Sequence, residues 1–450
     1  MKKKVVSLFS VLLIVSILVG VIGVLPASSM PQLPKYIIIM ISDGWGYNHV
    51  NAASYYRYGE ANMQEYNQFP YKFAMRTYSA DGWGYNPILA WSDFNYLNTG
   101  ATDSASAATA MSTGKKNHDG TIGVDVNLQP LKHPAEYAEE AGKATGVVTS
   151  VELSHATPAG FVAHNVSRNN YTAIAEEMIM GSATDVIIGC GNPWYYDDGS
   201  MRTSPSYQYI GASTWNAMVA GAAPNDADHD GINDPWTLVQ TKEEFQALMS
   251  GPTPTRVVGV PQVYTTLQQN RGGNKLADPY VVPFTPNLPT LAEMSLAAIN
   301  VLDNNPDGYF LMIEGGAVDW AGHANQAGRV IEEQIDFDDA VSAVIAWVEA
   351  NSNWDETLLI VTGDHETGYM TGPGAASIGY WTPIVNNGIG AVPSMDWNSG
   401  NHTNSLIPFY AKGYHGQWFA NIAYWSDPVH GKYFDNTFIG LISIKLLKLR

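Results

Sequence analysis

Seven residues of the types that bind divalent cations stand just after apolar runs or in short polar loops: Asp43, Glu314, Asp319, His323, Asp364, His365 and His402. Carboxylates and imidazoles together are the donor set of Zn²⁺ and Mg²⁺ sites. Asp319 and His323 are four residues apart, so on one helical turn they face the same side and can hold a single ion. Asp364 and His365 are adjacent and can present two ligands from one tight loop. Any one of these residues is more often a cap or a core side chain; their joint occurrence is what points to metal chemistry. A nucleophile is available as well. The stretch TDSASAATAMSTG places Ser104 after Asp103 at the start of a small-residue helix, where the helix N-terminus favours negative charge. The chain has no G-x-S-x-G elbow, and nothing near Ser104 in sequence supplies a base. A zinc ion beside Ser104 would lower the pKa of its hydroxyl and activate it without one.

These residues need a frame that brings distant segments together. The runs YIIIMISDG, ATGVVTSVELSHAT, GYFLMIEGGAVDW and TLLIVTGDHETG read as buried strands followed by polar residues. Helical patterns such as HPAEYAEEAGKA, LAEMSLAAINVL and RVIEEQIDFDDAVSAVIAWVEAN alternate with them. The alternation predicts an α/β protein with a doubly wound, mostly parallel sheet and helices on both faces. Ligands of such sheets bind beyond the carboxyl ends of the strands, where the chemically interesting residues fall. Two segments, at about 191–289 and 367–400, lack regular periodicity and read as irregular insertions on one catalytic domain spanning 30–450.

The 450 residues carry a formal charge of −19, which repels nucleic acid except where metal ions reverse the sign locally. Residues 1–29 combine MKKK, an apolar run and PASSM, the pattern of a signal peptide or of an uncleaved membrane anchor. Either predicts an exported protein, periplasmic, extracellular or held at the cell surface. Cys190 is the sole cysteine, so no intrachain disulfide can form. In NDADHDGINDPW, the alternation of Asp226, Asp228, Asp230 and Asp234 around Gly231 resembles a short calcium loop holding a structural Ca²⁺. Thr237 stands where an EF-hand needs its bidentate glutamate, and a solvated acidic turn is the competing reading.

In their order along the chain, DGWG, TDSASAATAMSTG, HATPAGFVAHNVSR, EGGAVDWAGH, GDHETG and NHT resemble the motifs of the alkaline phosphatase family, from about Tyr36 to His402. The resemblance implies a phosphomonoesterase with two Zn²⁺ and one Mg²⁺. Asp319, His323 and His402 would hold the first zinc, and Asp43, Asp364 and His365 the second, beside the nucleophile Ser104. Asp43, Thr157 and Glu314 would hold magnesium, while Arg168 clamps phosphate and Asp103 orients it. Catalysis would be a two-step in-line displacement through a phosphoserine. Related enzymes are commonly homodimers. By formal count such a site carries roughly two to three positive charges, which suits a phosphomonoester dianion with a serine alkoxide better than a diester.

Two positions depart from the best-known bacterial pattern: His155 replaces an aspartate and Trp320 a lysine. An imidazole near the third ion favours Zn²⁺ or Co²⁺ over Mg²⁺. Rival readings are a phosphodiesterase or sulfatase of the wider superfamily, or a calcium-stabilised surface protein with an inactive phosphatase fold. Cys190 in GCGNPW does not fit the C/S-x-P-x-R setting of a sulfatase. Ser104 and Arg168 speak against a diesterase, and the intact ligand set against an inactive fold.

Overall fold

Chain segments rich in Ile, Val, Leu and Met supply the strands. A computed structural model describes residues 33–221 and 234–448. In chain order the strands are β1 Tyr36–Ser42, β2 Tyr71–Arg76, β3 Ala144–Glu152, β4 Val186–Cys190, β5 Thr237–Val239, β6 Val257–Gly259, β7 Tyr309–Gly315 and β8 Thr357–Gly363. The short β9 Glu366–Thr367, β10 Met370–Thr371, β11 Asp396–Trp397 and β12 His402–Thr403 follow, then β13 Ile407–Gly413, β14 Trp425–Asp427 and β15 Gly431–Asp435. One 11-stranded sheet runs β14-β15-β2-β13-β8-β1-β7-β3-β4-β6-β5. From β8 to β5 every pairing is parallel. On the other side β13 lies antiparallel to β8 and β2, and β14 antiparallel to β15. Strands β1, β3, β4, β7 and β8 are buried at every residue, as a sheet covered on both faces requires.

The helices form two groups. Tyr47–Tyr58, Leu291–Leu302 and Ala327–Asn351 pack in one group, and Ser104–Thr113, Pro134–Glu140, Ala156–Ala159 and Thr437–Leu447 in the other. The two groups share β3 and β7 as supports but do not pack on one another, as helices layered on opposite faces of one sheet do. The doubly wound, mostly parallel α/β architecture expected from the alternation is therefore observed.

All ten residues of helix Ser104–Thr113 are buried, and its Ala/Ser composition has a packing cause. A Cβ on Gly160 would lie 2.7 Å from the Cβ of Ala108, and a Cβ on Gly440 would lie 2.5 Å from the nitrogen of Gly114. The serine helix is thus gripped between two backbones at distances that larger side chains would not permit.

The segment 191–289 is less irregular than its composition predicts. It adds β5 and β6 to the sheet edge and carries helices Ala212–Val219 and Lys242–Leu248. Strands of three residues are too short to show a period. The N-terminal segment 1–29 and the calcium-loop residues Asp226, Asp228 and Asp230 lie outside the described residues, which include Asp234. Among the described residues, no helix is long and apolar enough to cross a membrane.

Candidate active site

Parallel register brings the strand ends level. Ser42 pairs with Gly315 on one side and Gly363 on the other, and Glu314 is level with Ile41 and Thr149. Asp43 and Asp364, each the residue after its strand, therefore emerge side by side next to Glu314. Gly44, at φ +81°, lets the chain turn sharply after Asp43; a Cβ there would lie 2.5 Å from the Cα of Asp319. This close approach sets the Asp319–His323 turn against the strand ends. The β12–β9 pairing, His402 with Thr367, brings His402 to the same place.

The side chains converge in three groups. In the first, His323 Nε2 and His402 Nε2 are 3.0 Å apart, and each is 3.4 Å from a carboxylate oxygen of Asp319. The Nδ1 atoms of both rings face carbonyl oxygens, His323 at 2.7 Å from Gly400 and His402 at 2.9 Å from Thr102. Each Nδ1 therefore carries a proton, and the Nε2 atoms are turned to the shared point. Tetrahedral ligands bound at about 2.0–2.1 Å stand roughly 3.3 Å from one another, so this spacing suits one zinc-sized ion.

In the second group, His365 Nε2 is 3.2 Å from Asp364 Oδ2 and 3.5 Å from Asp43 Oδ1. Ser104 Oγ lies 3.2 Å from the same nitrogen. One ring nitrogen cannot serve three oxygens at once, whereas a cation among them would. Asp364 Oδ1 is fixed by the backbone N–H groups of Gly44 and His365, at 3.0 and 2.9 Å. His365 also stacks on His402 with ring centroids 3.6 Å apart, so the first and second groups adjoin.

The third group contains Asp43, Glu314 and His155, each offering one ligand atom within 4.8 Å of the others. Thr157 Oγ1 donates to Asp43 Oδ2 at 3.5 Å. Among the described residues no hydrogen bond reaches Asp43 Oδ1, Asp364 Oδ2, Glu314 Oε1 or His155 Nδ1, all of them buried. Buried carboxylate oxygens are otherwise almost always partnered. Burial, and then the charges of Asp364, Asp319 and Glu314, push Asp43 well above the ordinary carboxylate range. Burial raises Glu314 to about 7 and Asp364 to about 6. Bound cations would reverse that penalty, so the donor set fits divalent ions.

Ser104 opens its helix behind Asp103, whose carboxylate caps the helix by accepting from Ser106 N at 2.9 Å. The other oxygen of Asp103 accepts from Gly120 N at 3.0 Å and Arg168 Nη1 at 2.9 Å. Burial opposes charge on both partners, but their mutual attraction lowers Asp103 and raises Arg168. Arg168 Nη2 meets His155 Nε2 at 3.2 Å; since arginine only donates, this nitrogen accepts. Burial, then the charge of Arg168, lowers His155 to about 3, so its ring is neutral. Trp320 packs beside His155 with ring centroids 6.1 Å apart and walls the same cavity.

The sequence reading missed two supports. Thr367 Oγ1 donates to Asp319 Oδ1 at 2.5 Å, and Thr149 Oγ1 donates to Glu314. Thr367 stands inside GDHETG, but its partner Asp319 is reached only through the fold. A separate group, His133, Glu136 and His164, also has metal-like spacing. Here His164 faces Glu177 through Nδ1 at 3.1 Å and the Leu131 carbonyl through Nε2 at 2.9 Å. Both ring nitrogens of His164 are thus engaged, and although burial opposes charge, Glu177 and the Leu131 carbonyl raise its pKa, which favours the charged ring over a ligand.

The alkaline phosphatase family model matches residues 34–407. The alkaline phosphatase of Escherichia coli is 29% identical over 85% of this chain and 81% of its own. Alkaline phosphatase 3 of Bacillus subtilis is 30% identical over 74% of this chain, and that match spans 61% of the relative's length. Among solved structures, a histidine-to-aspartate mutant of TAB5 alkaline phosphatase with magnesium bound superposes with TM-score 0.61 at 24% identity, covering 93% of this chain and 99% of that one. This last likeness concerns the fold.

Proposed function

Because this chain belongs to the alkaline phosphatase family, and so is an enzyme of phosphomonoester hydrolysis, we propose that it works through Ser104 as nucleophile. One observation carries the proposal: the buried Ser104 hydroxyl opens a helix and lies 3.2 Å from His365 Nε2, within a cluster of buried, unpartnered ligand atoms. Asp319, His323 and His402 would hold one zinc, Asp43, Asp364 and His365 a second, and Asp43, Thr157 and Glu314 a third ion, with His155 beside them. Bound there, the ions supply positive charge that stabilises an alkoxide and the transferring phosphoryl group.

The chain's own groups do the rest. Ser104 Oγ attacks phosphorus in line with the ester oxygen, and the bond to the leaving alcohol breaks as the seryl phosphate forms. Water then attacks the phosphoserine from the vacated side, releasing phosphate and restoring the hydroxyl. The helix N-terminus at Ser104 favours the negative charge that develops in both steps. Asp103 holds one arm of Arg168, leaving guanidinium N–H groups for two non-bridging phosphate oxygens. A diester offers one fewer charged oxygen, so monoesters are preferred.

The test combines elemental analysis with turnover of a chromogenic phosphomonoester and its diester. Ser104→Ala is expected to keep its metals and abolish a trappable phosphoenzyme. A labelled phosphoenzyme at any other residue would overturn the assignment. Arg168→Ala should cut monoester kcat/KM by about a hundredfold, the worth of two charge-assisted hydrogen bonds, and diester turnover much less. Equal losses on both substrates would remove the clamp from the reading.

A further inference from the structure

The cavity outside Arg168 contains a second cation that the phosphomonoesterase reading does not use. A space of about 370 Å³ is lined by His155, Arg168, Asp319, Trp320 and His323 from the catalytic core, and by Asn270 and Lys275 from the segment 191–289. That volume falls within the range that holds a small organic ligand, so it has room for the alcohol portion of a substrate as well as its phosphate.

Lys275 is half-buried and held in place. Its Nζ donates to Asn270 Oδ1. The amide of Asn270 is fixed in turn, its Nδ2 donating to Asp197 Oδ2 at 2.7 Å and to Thr265 Oγ1 at 3.2 Å. The strand of chain that carries them is tied to the core. Arg271, only 2% exposed, donates to both carboxylate oxygens of Glu332 at 2.9 Å and to the carbonyls of Val282 and Pro283. Gln269 donates to Gln326 Oε1 at 3.0 Å, three residues past His323.

The partner of Lys275 is a neutral amide oxygen. Among the described residues no carboxylate lies within ion-pair distance of it. In a chain with 42 acidic residues against 23 basic ones, a positioned lysine with no direct carboxylate partner, lining the same cavity as Arg168, offers a cation to an incoming anion.

We propose that Lys275 forms a subsite for a second anionic group of the substrate, a phosphate or carboxylate borne by the leaving alcohol. The enzyme then favours doubly anionic phosphomonoesters over those whose alcohol is neutral. This rests on the phosphomonoesterase reading of the site, and the experiment separates the two. The probes are 3-phosphoglycerate and glycerol 3-phosphate, which differ by a carboxylate in place of a hydroxymethyl group. Lys275→Met, which keeps the aliphatic stem, is expected to raise KM for 3-phosphoglycerate about three- to fivefold, the worth of one partly exposed ion pair. KM for glycerol 3-phosphate and kcat for both should stay within about twofold, and Lys275→Arg should restore the preference. The same loss on both substrates, or no change on either, would overturn the subsite. If the metal-loaded wild type hydrolysed neither probe, the phosphomonoesterase reading would fail instead. Calorimetric titration of the same proteins with the two probes would then decide the subsite: a 3-phosphoglycerate preference lost in Lys275→Met supports it, and equal affinities in the wild type overturn it.

Discussion

In the proposed site, His155 is the residue on which the identity of a third ion would turn. Its ring is neutral, accepts from Arg168 at 3.2 Å and reaches the group formed by Asp43 and Glu314. In the proposed third site, a neutral imidazole where a carboxylate could stand removes an oxygen donor and a negative charge, which lowers the selectivity for Mg²⁺. Activity of metal-free protein should therefore recover with Zn²⁺ or Co²⁺ as well as Mg²⁺ in the third site. The double change His155→Asp with Trp320→Lys should shift the preference to Mg²⁺, since it restores an oxygen donor and an anion beside the third site. Metal titration of both proteins checks this, and the same strict magnesium requirement in both would sink it. At this scale much of the candidate site was legible in the sequence, because the residues that converge there sit in compact motifs such as EGGAVDWAGH and GDHETG. The contacts between motifs were not. Nothing in the local sequence says that Thr367 braces Asp319, that His155 occupies an arm of Arg168, or that Lys275 shares their cavity.

At the scale of elements, the long helix Ala327–Asn351 carries an acid in a place that costs stability. Asp338 is buried, and its Oδ1 accepts from Tyr66 at 2.8 Å and Gln334 at 2.9 Å. Burial raises its pKa from 3.8 to about 7, against the opposing pull of those hydrogen bonds. The folded state thus holds a proton that the unfolded chain has released. The stabilisation is fully present below pH 3.8 and is lost as pH rises to about 7, above which the slope from this group vanishes. Asp338→Asn keeps the acceptor without the titration. It should be more stable than the parent at pH 8, by roughly 1–2 kcal/mol, with little difference near pH 4. Melting temperatures across that range are the measurement, and parallel curves for the two proteins would contradict the argument. The core strands β1, β3, β7 and β8 were legible as continuous apolar runs. The extension by β2 and β14 was not, since YKFAMR and WSD are short and their antiparallel partners, β13 and β15, are set by tertiary pairing.

Across the whole molecule, the convergence of Asp43, Glu314, Asp364 and Glu152 at one end of the sheet concentrates negative charge in the core. Burial raises Glu152 to about 8. Cations that bind only the folded state stabilise it by mass action, about 4 kcal/mol for each site held at a thousandfold excess over its Kd. Chelation should therefore lower Tm by several degrees or more, and adding back zinc and magnesium should restore it in a concentration-dependent way. An unchanged Tm after verified metal removal would show that the acids are balanced by other means.

The central position of β1 has a consequence for how the chain comes to be folded. Its neighbours are β7 and β8, and the pairs Tyr36 with Tyr309 and Tyr36 with Thr357 lie about 270 and 320 residues apart. During synthesis the first strand must wait, both edges unpaired, until most of the polypeptide has left the ribosome. Closing such large loops is slow, and open apolar edges invite association with other chains. His402 arrives later still, so an ion held by Asp319, His323 and His402 would be captured at the end of assembly and could not seed it. A nascent chain of this design depends on being kept apart from its neighbours until its last third has been made.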